Sequence, residues 1–469
     1  MKSLPKNFMW GSSTNAQQFE GAWDADSKGV SMADNRILKN GYSNFKVASD
    51  HYNRLEEDLD LYQEMGFSIY RFSISWTRIF PNGDDNTPNQ KGLEFYDRMV
   101  DGLIKRGIAP VATLYAYDLP QALLDKYNGF ADRRCIDAYI NYVITIFKHF
   151  KGRIKFYTPF NEPNLFHGDQ EYIAGNKDLS DKETWQTEHH LTLAYARCVN
   201  ACHEIDPEAK IGPNCACMIT YPATCNPQDV KAAQREMYLT NWAYLDTYCR
   251  GGYPQYFLNY LEEKGVLPEM SPGDIELIAS VKPDLISTTY YSSGVTSSIP
   301  LDTPLKAAPV PKEIQEALVQ YRPGNLNPYC DETEWGWIID PDGFYYQLME
   351  LNHRYQLPIL ILENGMGATE ELGTDNKVHD DYRISYLSRH IECMKEAVAD
   401  GVNLIAYLTW SAHDLHSTRE GFVKRYGFIY VDRYEHTLRT LNRYKKKSFH
   451  WYKKVIATNG DDLENDVEY

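Results

Sequence analysis

Two glutamates close two strand-like apolar runs: Glu162 in KFYTPFNEP (155–163) and Glu363 in LPILILENG (357–365). Each is followed at once by a chain breaker, Pro163 or Asn364-Gly365, so each carboxylate should stand at the C-terminal end of a strand. In a closed α/β barrel that end is where active sites are built. Two carboxyls converging there can cleave a glycosidic bond, one protonating the leaving oxygen while the other attacks the anomeric carbon or activates water. Either glutamate alone could as readily close a barrel-mouth ion pair; the matched pair favours chemistry.

The elements that must hold them alternate strand, helix, strand, helix, which predicts a parallel sheet. Candidate strands are Phe8–Ser13, Ser68–Ser73, Pro110–Leu114, Lys155–Phe160, Lys210–Cys215, Asp284–Thr289, Ile359–Glu363 and Leu404–Trp410. Eight of them suggest a (β/α)8 TIM barrel. Leu55, Leu59 and Tyr62 share a helical face, as do Tyr96, Val100 and Leu103, and Ile384, Leu387 and Ile391; these stripes are core. We expect one α/β domain over residues 1–458, with long loops at the C-terminal face of the barrel and an acidic, disordered tail over 459–469. Segments 165–188 and 292–335 are rich in turn residues and are expected as loops walling the leaving-group side of the pocket.

Composition narrows the partners. The net charge of −17 disfavours nucleic acid and anionic membrane. Any anionic substrate must therefore meet a local basic cluster. Residues 1–6 run directly into the first strand without a secretion signal, and no apolar run has membrane-spanning length, so a cytoplasmic enzyme is expected. The nine cysteines are scattered and lack paired metal-site spacing, and no phosphate-cradling glycine loop occurs; neither a metal nor a cofactor is expected. Homo-oligomerisation is left open. His413 and His416 are read as packing or substrate-contact residues, His189 and His190 as helix-start residues, and KKKSFHWYKK (445–454) as a final helix with a solvated face.

From AQQFEGAW (16–23) through YRFSISWTRIFP (70–81), FNEP, ILENG, TWSAHD (409–414) and RYGFIYVD (425–432), the chain resembles glycoside hydrolase family 1, the retaining β-glycosidases. The resemblance spans essentially the whole chain in collinear order. It implies the barrel fold, Glu162 as acid/base and Glu363 as nucleophile, with Arg71 and Tyr291 holding the nucleophile charged and aimed. It also implies that Asn161 meets the sugar 2-hydroxyl and that Gln18 and Trp410 address the 3-hydroxyl.

Substrate choice should lie in WSAHDLHSTREGFVKRYG (410–427). Where ordinary β-glucosidases of the family carry a glutamate and then an aromatic residue, this chain has Ser417 and Thr418, removing a charge that would repel an anionic sugar. Lys424 and Tyr426 follow. A hydroxyl, an ammonium and a phenol are donors that an oxyanion uses fully. The set looks like the phosphate site of the 6-phospho-β-glycosidases, and Thr418 in place of the tryptophan of galactoside enzymes favours the gluco configuration. The bland alternative is that Lys424 and Arg425 decorate a solvated loop.

Two positions depart from the family pattern. TLYAYDLP (113–120) has Ala116-Tyr117 where a histidine and a tryptophan or phenylalanine are usual, and Thr289 replaces an asparagine. A weaker or altered grip on the glycone is expected, since a missing donor costs about 1–3 kcal/mol if nothing replaces it. The leading reading is a 6-phospho-β-glucosidase acting on a small phosphorylated glycoside. The alternatives are a β-glycosidase for an unphosphorylated or otherwise altered glycone, and a sugar-phosphate-binding protein that kept the barrel without turnover.

Overall fold

A computed structural model of the chain describes residues 3–38, 41–298 and 327–469. Its strands are β1 (Met9–Ser13), β2 (Ile69–Ser73), β3 (Ala109–Thr113), β4 (Phe156–Thr158), β5 in two segments (Lys210–Ile211 and Asn214–Ala216), β6 (Ile286–Tyr290), β7 (Ile359–Asn364) and β8 (Leu404–Trp410). All pair in parallel. The sheet begins with the first segment of β5 on β4 and ends with its second segment on β6. Both edges of the sheet therefore belong to one strand, and the barrel is closed.

Burial explains the composition of these strands. A barrel strand faces packed side chains on both sides, so it reads as a continuous apolar run. On β7, Leu360 and Leu362 meet Ile69, Val111, Ala406 and Leu408 in one interior cluster. Ile359 and Ile361 instead join the larger cluster containing Ile384 and Leu387, between strands and helices. Close strand approach needs glycine at Gly11, where an added Cβ would lie 1.8 Å from the Ile69 carbonyl oxygen, and at Gly212, 1.9 Å from that of Leu285.

Two expectations need correcting. Segment 165–188 is largely helical: a 3-10 helix Pro163–Gly168, a short helix Gln170–Ala174 and the start of the long helix Asp181–Ile205. Ser180 and Glu183 form a capping box there, a signal hidden among polar residues. His189 and His190 consequently sit inside that helix and are buried; His189 Nε2 lies 3.1 Å from Asp274 and His190 Nδ1 2.8 Å from the Phe130 carbonyl oxygen. Of segment 292–335, Gly294–Thr296 pairs with Thr220–Pro222, and residues 299–326 lie outside the described residues.

The acidic C-terminal segment is anchored, unlike the free tail its charge suggested. Trp451 Nε1 donates to the Leu463 carbonyl oxygen at 3.1 Å, Lys454 Nζ reaches Asp462 at 2.8 Å, and the Tyr469 hydroxyl donates to the Lys445 carbonyl oxygen at 2.9 Å. Leu463 and Val467 pack against the core. The basic face of the final helix, Lys447–Ala457, thus receives the tail, while Phe449, Trp451 and Tyr452 are buried beneath it. No helix among the described residues is long and apolar enough to cross a membrane.

Gly11→Ala should lower the melting temperature by several degrees, because the methyl group meets backbone and overpacking costs about 1–3 kcal/mol. Gly252→Ala, with open space at its Cβ, should leave it within about a degree, and thermal denaturation of the two variants checks the contrast.

Candidate active site

Glu363 would not face the barrel mouth on a regular strand. It shares alternation with Ile359 and Ile361, which point outward. Between Ile361 and Glu363 the pairing with β6 slips by one residue, so that Ile361 opposes Thr288 and Glu363 opposes Thr289. Such a bulge re-aims the side chain beyond it. Glu363 Oε1 accepts from Arg71 Nη1 at 3.0 Å and Oε2 from the Tyr291 hydroxyl at 2.7 Å.

Glu162 reaches the same mouth by a different device. It follows β4 with φ of 44°, in the left-handed region that a non-glycine residue occupies at a cost of about 1–3 kcal/mol. Its carboxylate is bonded at both oxygens: the Thr289 hydroxyl donates to Oε1 at 2.6 Å and the Tyr117 hydroxyl to Oε2 at 2.7 Å. Burial and the adjacent Glu162 charge push the Tyr117 phenol well above its ordinary value, so it stays a donor. Burial and the nearby Glu363 charge do the same for Tyr291.

Arg71 joins the two halves. It is fully buried on β2 and donates from Nε to Thr113 Oγ1 at 2.8 Å and from Nη2 to Asn161 Oδ1 at 2.8 Å, besides its bond to Glu363. Asn161 Oδ1 accepts a further bond from Asn214 Nδ2 at 3.0 Å, and Asn161 Nδ2 donates to Tyr117 at 3.1 Å. Burial and the Glu162 charge push Glu363 up to about 8, against the pull of Arg71 and Tyr291. The bonds from Arg71 and Tyr291 oppose that rise and favour the Glu363 anion.

The structure brings Ser417, Lys424 and Tyr426 together beyond β8. All three are buried. Lys424 Nζ lies 3.8 Å from the Trp337 ring centre and 5.7 Å from that of Tyr426, and among the described residues it has no hydrogen-bond partner. Trp337 in turn contacts Tyr291, whose hydroxyl holds Glu363. The cation is thus linked through two aromatic rings to Glu363. Trp410 packs with Phe19, Leu415 and Tyr426 in this wall. Gln18 is buried beside it; its Nε2 donates to the His416 carbonyl oxygen at 2.8 Å and its Oε1 accepts from Asn15 at 3.1 Å. His413 pairs with Asp58 at 2.9 Å and His416 Nε2 approaches the Ser43 carbonyl oxygen at 2.8 Å, both structural contacts.

Sequence reasoning missed several members of this network. Ala116 and Thr289 stood out as losses, whereas Thr289 and Tyr117 supply two hydroxyls to Glu162. A tyrosine at a strand end was visible, but no spacing rule links it to a carboxylate 45 residues on. Thr113, Asn214, Trp337 and Glu420 likewise enter only through the folded geometry.

A closed eight-stranded α/β barrel with two buried carboxyls at its mouth, one gripped by arginine and tyrosine, defines a glycosidase-like site. The family model for glycosyl hydrolase family 1 matches residues 1–461, and the chain belongs to that family as a glycoside hydrolase. It is 41% identical to the aryl-phospho-beta-D-glucosidase BglC of Bacillus subtilis (strain 168), over 98% of this chain and 99% of the relative. It is 43% identical to a 6-phospho-beta-glucosidase of Clostridium longisporum at the same coverages. Among solved structures, the beta-glucosidase from Thermotoga maritima in complex with glucoimidazole superposes with a TM-score of 0.86 at 33% identity, covering 98% of this chain and all of that one.

Because Glu363 holds its proton well above the ordinary carboxylate range, ionising it destabilises the fold as pH rises from about 5 to 8. Glu363→Gln removes that ionisation. Relative to wild type, its melting temperature should improve across this window, by the equivalent of a few kcal/mol in order of magnitude. Parallel melts at pH 5 and pH 8 check it; a constant gap would show that Glu363 does not hold its proton above the ordinary carboxylate range.

Proposed function

We propose that the protein hydrolyses 6-phospho-β-glucosides with retention of configuration. The observation that carries the phosphate half is Lys424, a buried ammonium without a hydrogen-bond partner among the described residues, beside the Ser417 hydroxyl and the Tyr426 phenol in one wall of the catalytic mouth. A phosphoryl group offers acceptors to all three. The names of the phospho-glucosidase relatives support the same reading.

In this reading Glu363 attacks the anomeric carbon as Glu162 delivers its proton to the aglycone oxygen, leaving a covalent glycosyl-enzyme. Glu162, now a carboxylate, takes a proton from water, which attacks the anomeric carbon from the face the aglycone left and releases Glu363. Arg71 and Tyr291 hold the nucleophile anionic and fixed in direction. Asn161, clamped by Arg71 and Asn214, presents its amide towards the sugar 2-hydroxyl. Gln18 and Trp410 form the wall on the sugar's 3-hydroxyl side, with Gln18 also fixing the chain at His416. Tyr117 and Thr289 fix the acid.

A second reading, a neutral β-glucoside substrate, draws on Glu420, whose carboxylate lies beside Ser417 and Lys424 and offers acceptors to sugar hydroxyls. The two are separated by p-nitrophenyl β-glucoside with and without a 6-phosphate. The phosphorylated compound should be strongly preferred, and Lys424→Ala should lower kcat/KM on it by about a hundredfold or more while costing far less on the neutral one. Hydrolysis of the neutral compound alone would overturn the proposal.

The carboxyl roles have their own test. Glu363→Gln should abolish turnover of every glycoside. Glu162→Gln should keep measurable activity on nitrophenyl leaving groups, which need no protonation, and lose it on alkyl ones. Equal losses for both variants on both leaving groups would contradict the assignment.

A further inference from the structure

Resting on the reading of Ser417, Lys424 and Tyr426 as phosphate ligands, one carboxylate in the same pocket has no role in the chemistry. Residues 417–421 form a tight turn, closed by the Ser417 amide donating to the Gly421 carbonyl oxygen at 2.7 Å. Gly421 makes the turn with φ of 63°, which favours glycine. The turn folds Glu420 back over its own start. Its Oε2 accepts from the Ser417 hydroxyl at 2.7 Å and lies 3.7 Å from Lys424 Nζ.

Lys424 has little freedom to leave this arrangement. Its stem runs against Gly367, where a Cβ would lie 2.5 Å from Lys424 Cγ, and its ammonium faces Trp337 at 3.8 Å and Trp335 at 5.1 Å. Burial lowers its pKa, and the negative charge of Glu420 opposes that shift. Glu420 is freer, with a side chain 26% exposed against 1% for Lys424. The neighbouring Arg419 points the other way, to Asp169. The turn thus presents a movable anion to a fixed cation.

We propose that Glu420 is a built-in competitor for the phosphate site, occupying the Ser417 hydroxyl and the field of Lys424 until a phosphorylated glycone displaces it towards solvent. A carboxylate and a dianionic phosphoryl group cannot share these donors, since like charges in contact in a buried pocket repel strongly. The phosphoryl group displaces the carboxylate because it brings more charge and more acceptor oxygens to the same donors. Glu420 therefore sets how tightly the phosphate end must bind before the pocket accepts a substrate. It acts on specificity and takes no part in bond cleavage.

The test measures KM for p-nitrophenyl 6-phospho-β-glucoside, and Ki for inorganic phosphate, in wild type, Glu420→Ala, Glu420→Gln and Lys424→Ala. Removing the competitor should lower both constants by roughly two- to tenfold in Glu420→Ala, the scale of a partly exposed ion pair. Glu420→Gln keeps the bond to Ser417 and loses the charge, so it should fall between Glu420→Ala and wild type. Neither variant should gain on the neutral glucoside. If Lys424→Ala raises KM while the Glu420 variants leave both constants unchanged or raise them, the competitor is refuted and the phosphate site stands. If Lys424→Ala has no phosphate-specific effect, both ideas fall together.

Discussion

The site depends on a buried cation. Arg71 has no contact with water, yet three neighbours take its hydrogen bonds: Thr113, Asn161 and Glu363. Taking a guanidinium out of water is expensive unless its donors are matched, so the barrel must bring strands β2, β3, β4 and β7 into a single register around it. That requirement explains why the polar residues at the mouth form one connected network. Removing any partner leaves a charge or a donor unpaired in a low-dielectric space, where the penalty is greatest.

Both carboxyls owe their positions to local breaks in regularity. A continuous β7 would have turned Glu363 towards the helices with Ile359 and Ile361, and the slip before it brings the side chain inside. Glu162 is swung into place by a left-handed backbone conformation ahead of Pro163. The closed sheet supplies the rigid frame against which these two local irregularities are held.

The sequence made the barrel legible because buried parallel strands are apolar throughout and end in breakers, as in LPILILENG. The two glutamates were legible for the same reason: a charge directly after such a run has few places to go. What sequence could not supply was contact between residues far apart in the chain. Thr289 looked like a defect until its hydroxyl was seen on Glu162, and Tyr117 carried no pattern that would pair it with the acid. The helix beginning at Asp181 was hidden because its capping signal lies among polar residues that also suit a loop. The anchored C-terminus was hidden because its charges are matched by the basic face of the last helix.

In the proposed reading Glu162 and Glu363 act at the anomeric carbon, and Ser417, Lys424 and Tyr426 receive the opposite end of the sugar. Tyr291 and Trp337 connect the two, so a bound glycone should touch Glu363 with its anomeric carbon and Lys424 with its 6-substituent. The direct measurement is a crystal structure of Glu363→Gln with p-nitrophenyl 6-phospho-β-glucoside bound. The expected result is the phosphoryl group in contact with Ser417, Lys424 and Tyr426, and the anomeric carbon beside residue 363. A sugar bound with its phosphate directed to solvent, or held away from Lys424, would contradict the assignment.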